Sequence, residues 1–226
     1  MELRQIGRIL LRRWDYAAAQ RVTHFIAIST EIQGRIRTYY NRDSIVIHPP
    51  VDLHRYRPAA SHDDYYLIAS RLIPYKRIDL AIEAFNRIRR PLWIAGDGRD
   101  ADRLRVMAGP TIRFLGRVPD ADLPGLMARC KAFVFPGYED FGIAPVEAQA
   151  AGRPVIAFGA GGALDTVSDN QTGVLFGAQT VDALIDAVRH LDAIDFDPNV
   201  LRAHAARFDV DVFRQTLSRF VDSLIH

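Results

Sequence analysis

The sequence predicts an α/β fold in which a Rossmann-like parallel sheet carries helices on both faces. Past residue 60, short β-branched or aromatic runs alternate regularly with helical stretches. The strand runs are apolar throughout rather than at every second position, which is the pattern of strands covered on both sides. Size agrees: 226 residues, 49% apolar and 25% charged, make one large domain or a domain plus a fragment, with ample material for a core.

The first strand covers 65–70, and a helix follows over 78–89. The second strand, 92–95, ends in Gly96-Asp97-Gly98 and leads into a helix over 101–108. A third strand over 111–115 precedes a helix over 123–130, and a fourth over 131–135 precedes a helix over 145–151. The fifth, 155–158, ends in the glycine-rich stretch 159–162, and a short sixth over 172–176 precedes a helix over 181–191. Ligands of such sheets sit at the carboxyl ends of the strands.

The first 58 residues do not fit this unit. A basic amphipathic helix spans 3–19, a strand 24–28 and a helix 31–40; residues 45–47 then run into His48-Pro49-Pro50-Val51-Asp52 and on to Pro58. One βα element and a stiff linker cannot bury both faces of a strand. Residues 1–48 therefore read as the remnant of a preceding α/β domain, 49–58 as a linker, 59–208 as the sheet unit and 209–226 as a C-terminal helix. The plainer alternative is an N-terminal extension packed on the same sheet. Charge divides the same way: residues 1–58 hold ten arginines and five acids, the remainder 19 basic and 22 acidic residues. Arg4, Arg8, Arg12 and Arg13 around Leu3, Ile6, Leu10 and Trp14 permit peripheral contact with an anionic membrane surface; a solvated face on a packed helix is the simpler reading.

Several classes are excluded. Cys130 is the only cysteine, so there is no disulfide framework and no cysteine-based metal centre; it reads as a small core residue. No stretch approaches the ~18–20 apolar residues of a membrane span, and the N-terminus lacks a secretory pattern, so a cytoplasmic location is expected. No basic stripe with interleaved aromatics marks a nucleic-acid binder. His48, His54 and His62 are irregularly spaced, and the Asp-x-Asp pairs at 100/102, 120/122, 195/197 and 209/211 read as noise, so no metal site is expected. There is no G-x-S-x-G elbow.

Three stretches carry chemistry. In Tyr138-Glu139-Asp140-Phe141-Gly142-Ile143-Ala144-Pro145-Val146-Glu147, two carboxylates flank a glycine and a helix start. The amides of Phe141, Gly142 and Ile143 would face outward at the positive end of that helix, as an anion site needs. The alternative is a plain strand-to-helix turn with two solvated acids. In Ser70-Arg71-Leu72-Ile73-Pro74-Tyr75-Lys76, Arg71 and Lys76 fall on the same rim as Glu139, two cations suited to a diphosphate. Only two lysines occur, Lys76 and Lys131, in a chain whose ordinary cation is arginine. Either cation alone reads equally as surface charge. Gly96-Asp97-Gly98-Arg99-Asp100-Ala101 formally matches G-x-G-x-x-A, which raises an NADP-dependent oxidoreductase. Against it, the motif lies in the second βα unit, and the acid expected ~20 residues on is replaced by Gly116-Arg117.

Together these residues resemble the retaining glycosyltransferases of family 4, which have the GT-B fold of two facing Rossmann-like domains. The resemblance covers about residues 20–226. It is carried by Ser70-Arg71-Leu72 with Lys76, Ala95-Gly96-Asp97-Gly98, Phe114-Leu115-Gly116-Arg117-Val118, Glu139 and Glu147 with Gly142, and Ala150-Ala151-Gly152-Arg153-Pro154-Val155-Ile156-Ala157. It points to the C-terminal, nucleotide-sugar-binding half, similar to mannosyltransferases of polysaccharide assembly, with GDP-mannose as donor and a glycan or lipid-linked acceptor.

The resemblance implies that Arg71 and Lys76 hold the donor diphosphate and that Glu139 stands beside the transferred sugar; these three would be catalytic. Glu147 would accept hydrogen bonds from the ribose. Phe141, Gly142 and Ile143 would supply amides, Gly98, Arg117 and Val118 would meet the nucleotide, and Leu123 would pack near the base. No cofactor beyond the donor itself and no metal is implied. The resemblance also implies that the acceptor-side domain is represented only by 1–48, and that the helix over 212–225 returns toward it. A second hypothesis is a non-catalytic nucleotide-sugar-binding subunit that needs a partner chain or self-association at the exposed strand 24–28. The oxidoreductase is the third.

Overall fold

The computed structural model describes residues 7–225 in full and residues 2–6 as helical backbone. The side chains of Leu3, Arg4 and Ile6, named above for the basic helix, lie outside the described residues. That helix, α1 (Glu2–Ala19), leads to β1 (Ile26–Ala27), α2 (Thr30–Tyr40) and β2 (Ile45–Val46). Ser29 caps α2: its backbone is extended and its buried hydroxyl accepts from the Ile32 N–H. Asn41 closes the helix in the left-handed region at φ 51°. Arg42 gathers the end of α1, donating to the carbonyls of Ala19 (3.1 Å), Gln20 (3.3 Å), Val22 (2.6 Å) and Thr23 (3.1 Å).

β1 and β2 pair in parallel, Ile26 with Ile45 and Ala27 with Val46, as a separate two-stranded sheet. Both strands are shorter than expected, and neither pairs with a strand of the larger sheet. Ala27, Ile47 and Ile36 are buried, whereas Ile26, Ile28 and Ile45 are 38–41% exposed. Leu10 and Trp14 of α1 are exposed as well.

The six later strands are β3 (Tyr66–Ala69), β4 (Leu92–Ala95), β5 (Ile112–Gly116), β6 (Ala132–Phe135), β7 (Val155–Phe158) and β8 (Gly173–Phe176). They form one parallel sheet in the order β5-β4-β3-β6-β7-β8. The connecting helices are α3 (Ile78–Ile88), α4 (Ala101–Met107), α5 (Leu123–Arg129), α6 (Ile143–Ala150), α7 (Ala163–Thr166) and α8 (Val181–Asp192). α9 (Pro198–Ala205) and α10 (Val210–Ile225) follow. The winding runs outward from β3 to β5, then returns to place β6 on the other side of β3. That reversal opens a crevice at the carboxyl ends of β3 and β6.

Alternate strand residues serve opposite faces. Tyr66, Ile68, Ile94, Val134 and Ile156 pack under α3 and α8, and Leu67, Phe133, Val155 and Ala157 pack with Met127, Val146 and Phe208. Cys130 lies in the second cluster, where burial pushes its thiol up to about 12. α7 and α9 were not expected. They are fastened to α6 through Gln149, which is fully buried, donates to the Thr166 carbonyl (2.7 Å) and accepts from His204 Nδ1 (2.8 Å).

At the amino ends of the strands, Asp192 of α8 holds Lys131 (2.7 Å), Arg90 (2.5 Å) and the Tyr66 hydroxyl (3.0 Å). Burial alone would raise this carboxyl; Lys131, Tyr66 and Arg90 together hold it below the usual range. The second lysine is thus a structural partner on the edge away from the crevice. Several of the Asp-x-Asp residues serve likewise as local partners: Asp100 pairs with Arg103 (2.7 Å), Asp102 with Arg105 (3.1 Å), and Asp197 caps α9. Among the described residues no helix is long and apolar enough to cross a membrane.

Candidate active site

The crevice at the strand reversal is a cleft of about 660 Å³. Six residues singled out from the sequence line it: Arg71, Gly98, Arg117, Val118, Leu123 and Glu147. Its floor is set by backbone. After β3 the chain turns across the end of β4, with Ser70 N–H donating to the Ala95 carbonyl (3.0 Å) and Leu72 N–H to that of Asp97 (3.0 Å). Gly96, at φ +135°, and Gly98 lie so close that a side chain on either would run into the carbonyls of Ser70 and Leu72. The glycines of this G-x-G-x-x-A match therefore serve contact between two loops. That accounts for them without the pyrophosphate approach that the oxidoreductase reading requires.

Glu147 sits one turn into α6, on the cleft wall. Burial foremost raises its carboxyl above the usual range; the Tyr56 hydroxyl and the Arg55 guanidinium pull it back, and Asp120 adds to the rise. Tyr56 is 2% exposed, and its own hydroxyl is raised by burial and by Glu147. Both Tyr56 and Arg55 come from the linker. Arg202 of α9 docks that linker on α6, donating to the carbonyls of Tyr56 (3.1 Å) and Ala150 (2.6 Å). Arg55 donates to the carbonyl of Asp120 (2.8 Å), which also lines the cleft.

Glu139 and Lys76 form an ion pair beside the cleft, 17% and 18% exposed. Among the described residues, the ammonium is the one charged partner of a carboxylate oxygen that is shielded from water. Glycines make the pairing possible. A side chain on Gly137 would come within 2.9 Å of the Lys76 Cα, so the loop after β6 lies directly on the turn Pro74–Lys76. Gly162 N–H donates to the Glu139 carbonyl (2.8 Å), and side chains on Gly161 or Gly162 would collide with the backbone of Glu139 and Phe141. Ser70 borders both the cleft and the small recess at Lys76.

α6 begins earlier than expected, at Ile143, with Gly142 as its N-cap at φ 98° and no side-chain cap. The first-turn amides have no acceptor within the helix and stay available to an anion. Phe141, Gly142 and Ile143 do not border the cleft itself. Phe141 is an anchor: its ring is buried, stacked on His48 at 5.5 Å and edge-on to Phe208 at 5.6 Å.

The structure thus gathers Arg71, Gly98, Arg117, Val118, Leu123 and Glu147 in one cleft, with the Lys76–Glu139 pair adjoining and the α6 amides beyond. Sequence reasoning missed Tyr56, Arg55 and Asp120 as neighbours of Glu147. Asp120 lies two residues past Val118 and was within reach of the same motif. Tyr56 and Arg55 carry no local signal, because a linker residue reaches a site only through tertiary docking.

The family described as glycosyl transferases group 1 matches residues 53–198. The chain is 35% identical over 189 residues to the GDP-mannose-dependent alpha-(1-6)-phosphatidylinositol monomannoside mannosyltransferase of Mycobacterium tuberculosis, covering 70% of this chain and 49% of that protein. It is 37% identical over 156 residues to the glycogen synthase of the same organism, covering 62% of this chain and 36% of that one. The chain spans about half the length, or less, of these curated relatives. Among solved structures, Anabaena Alr3699/HepE in complex with UDP and glucose matches with a TM-score of 0.81 at 24% identity, over 94% of this chain and 66% of that one. Sucrose-phosphate synthase from Thermosynechococcus elongatus also gives 0.81, at 22% identity, over 95% of this chain and 61% of that one. At these identities the two structures speak for the fold alone. The family match spans more than half of the chain, and it begins in the linker and runs through every strand of the large sheet. That sheet has the α/β fold of GT-B glycosyltransferase C-terminal domains, and the chain belongs to the glycosyl transferases group 1.

Proposed function

We propose that this chain is the donor-binding half of a retaining glycosyltransferase that moves mannose from GDP-mannose to a glycan or lipid-linked acceptor. The observation that carries the reading is the cleft at the strand reversal, with Arg71 on one wall and the partly buried Glu147 on the other. Its size suits a nucleotide. The donor and acceptor classes follow the printed name of the mannosyltransferase relative.

Cleaving a sugar–phosphate bond builds negative charge on the diphosphate and positive charge on the anomeric carbon. Arg71 grips the diphosphate with its planar fork, and Lys76 and the first amides of α6 add positive potential at the same rim. Glu139, held by Lys76, orients the sugar and stabilises the positive carbon on the face from which the nucleotide leaves. Glu147 accepts from the ribose hydroxyls, and the backbone at Arg117 and Val118 meets the base, with Leu123 packed beside it. The departing phosphate assists deprotonation of the acceptor, so no step calls for a divalent metal. In this reading residues 1–48 are the remnant of the acceptor-side domain, 49–58 the linker, and α10 the helix that returns to that remnant. The exposed Ile26, Ile28 and Ile45 favour a second reading, a non-catalytic nucleotide-sugar-binding subunit completed by a partner chain.

Calorimetric titration with GDP, UDP, GDP-mannose and NADPH, without metal and then with magnesium, tests this. Metal-independent binding of GDP-mannose, lost in Arg71→Ala and Glu147→Ala, is the expected result. Binding of NADPH alone would overturn the reading. Mannosyl transfer that appears only when a second chain is added would separate the subunit from the self-sufficient enzyme.

A further inference from the structure

Glu139 is flanked by two side chains that one arginine of the other unit holds. Arg35 of α2 pairs with Asp140 through Nη1 (2.9 Å), donates from Nη2 to the Tyr138 hydroxyl (3.2 Å), and rests 5.5 Å above the Tyr138 ring. Its Nε is fixed by Glu31 (2.9 Å), one turn earlier on the same helix. Tyr138 and Asp140 thus face α2, while Glu139 between them faces Lys76. The loop is also held from behind, where Gly162 N–H donates to the Glu139 carbonyl. The segment carrying Gly162 is tied in turn to the N-terminal unit: Thr30 donates from its N–H (2.7 Å) and its hydroxyl (2.8 Å) to Asp165.

A lone exposed ion pair contributes little and would explain none of this. Arg35 differs because three donors of one planar fork are used at once, which a lysine cannot reproduce. We infer that Arg35 is a positioning residue: it fixes the loop 138–140 so that the Glu139 carboxylate stands against Lys76. The N-terminal unit thereby helps to form the sugar end of the donor site. The inference rests on the role proposed above for Glu139. It assigns no contact between Arg35 and the donor.

The discriminating experiment compares GDP with GDP-mannose on the wild-type chain, Arg35→Ala and Arg35→Lys. Because Arg35 acts through Glu139, both variants should bind GDP as the wild type does and GDP-mannose about five- to tenfold more weakly, the effect of one charge-assisted hydrogen bond. Equal loss for both ligands, or no loss for either, overturns the inference. A wild-type chain that binds neither ligand defeats the donor-site reading instead, and amide exchange then decides the clamp by itself. The Gly162 amide should exchange roughly tenfold faster in Arg35→Ala through easier local opening, and an unchanged rate overturns the inference.

Discussion

The chain holds two parallel-sheet units that start from the same local grammar and end very differently. In each, strands are short and β-branched, and a helix connects neighbours that pair in parallel. The larger unit has six strands and covers both faces, so Phe133, Ile68 and Ile156 are essentially inaccessible. The smaller has two strands and covers one face, so three isoleucines stay 38–41% exposed, and Leu10 and Trp14 of α1 are exposed too. Capping does not explain the difference, since Ser29 caps α2 of the smaller unit whereas α3, α4, α5 and α6 of the larger carry no side-chain cap. What differs is the amount of neighbouring structure, and a sheet face becomes core only when enough strands and helices surround it.

Truncating the larger sheet breaks this contrast most severely. Phe133→Ala in β6 removes a ring that is 1% exposed from the middle of its cluster. The expected cost is about 3–5 kcal/mol, read as a shift in the urea midpoint with unchanged slope. A loss below about 1 kcal/mol would mean that this core collapses around the void, contrary to close packing.

Next in size are the polar groups that fasten α6 to its neighbours. Gln149→Leu leaves the Thr166 carbonyl and the His204 ring unpaired, and should cost about 1–3 kcal/mol. The buried His204 also makes stability depend on pH. Burial foremost, with help from Arg207, holds the His204 imidazole below its ordinary 6.5. The unfolded chain therefore binds the proton more readily. Stability is fully present above about 6.5 and declines as pH falls through the lower folded value. Wild type minus His204→Gln, melted across that window, should give this slope; parallel curves would show that His204 is not held neutral.

Elements were legible in both units, α1 and α2 starting within a residue of the helices expected over 3–19 and 31–40, whereas contacts between the units were not, for reasons visible at single residues. β4 and β7 match their expected bounds because Leu92–Ala95 and Val155–Phe158 are apolar runs closed by glycines. α9 was overlooked although Asp197 before Pro198 is a readable helix start, since its exposed face blurs the period. Both members of the Lys76–Glu139 pair were placed on one rim, yet their contact depends on Gly137 letting two backbones touch. Arg35 and Tyr56 were invisible as site neighbours. Each reaches the larger unit from the N-terminal unit or the linker, and no period or motif encodes that docking.

The linker offers a smaller and more specific perturbation. The raised carboxyl of Glu147 accepts from two ribose hydroxyls at full strength only when ionised, so nucleotide affinity should fall by about tenfold as pH drops through its folded value. The Tyr56 hydroxyl favours the ionised form, so Tyr56→Phe raises that value further, and the loss should begin at higher pH than in the wild type. Glu147→Gln serves as control, because any decline it retains belongs to the phosphates. A Tyr56→Phe profile superimposed on the wild type would mean that the linker supports α6 without tuning its carboxylate.

The smallest expected effect is the one that sharpens the comparison. Ile26→Thr and Ile45→Thr keep β-branching on two paired residues whose side chains already meet water. Each should change stability by about 0.5 kcal/mol or less, as substitutions away from a packed core do. The sedimentation of the chain is the second readout. If the isoleucine face associates with another copy, the wild type sediments as more than a monomer, the double variant does not, and the stability loss grows with protein concentration. If the chain is monomeric and the loss still approaches that of Phe133→Ala, the face is buried in solution by some part of this chain. The two units would then differ in size but not in kind. A small loss in a monomer keeps the contrast intact: six strands close a core, and two strands leave a face waiting for a cover.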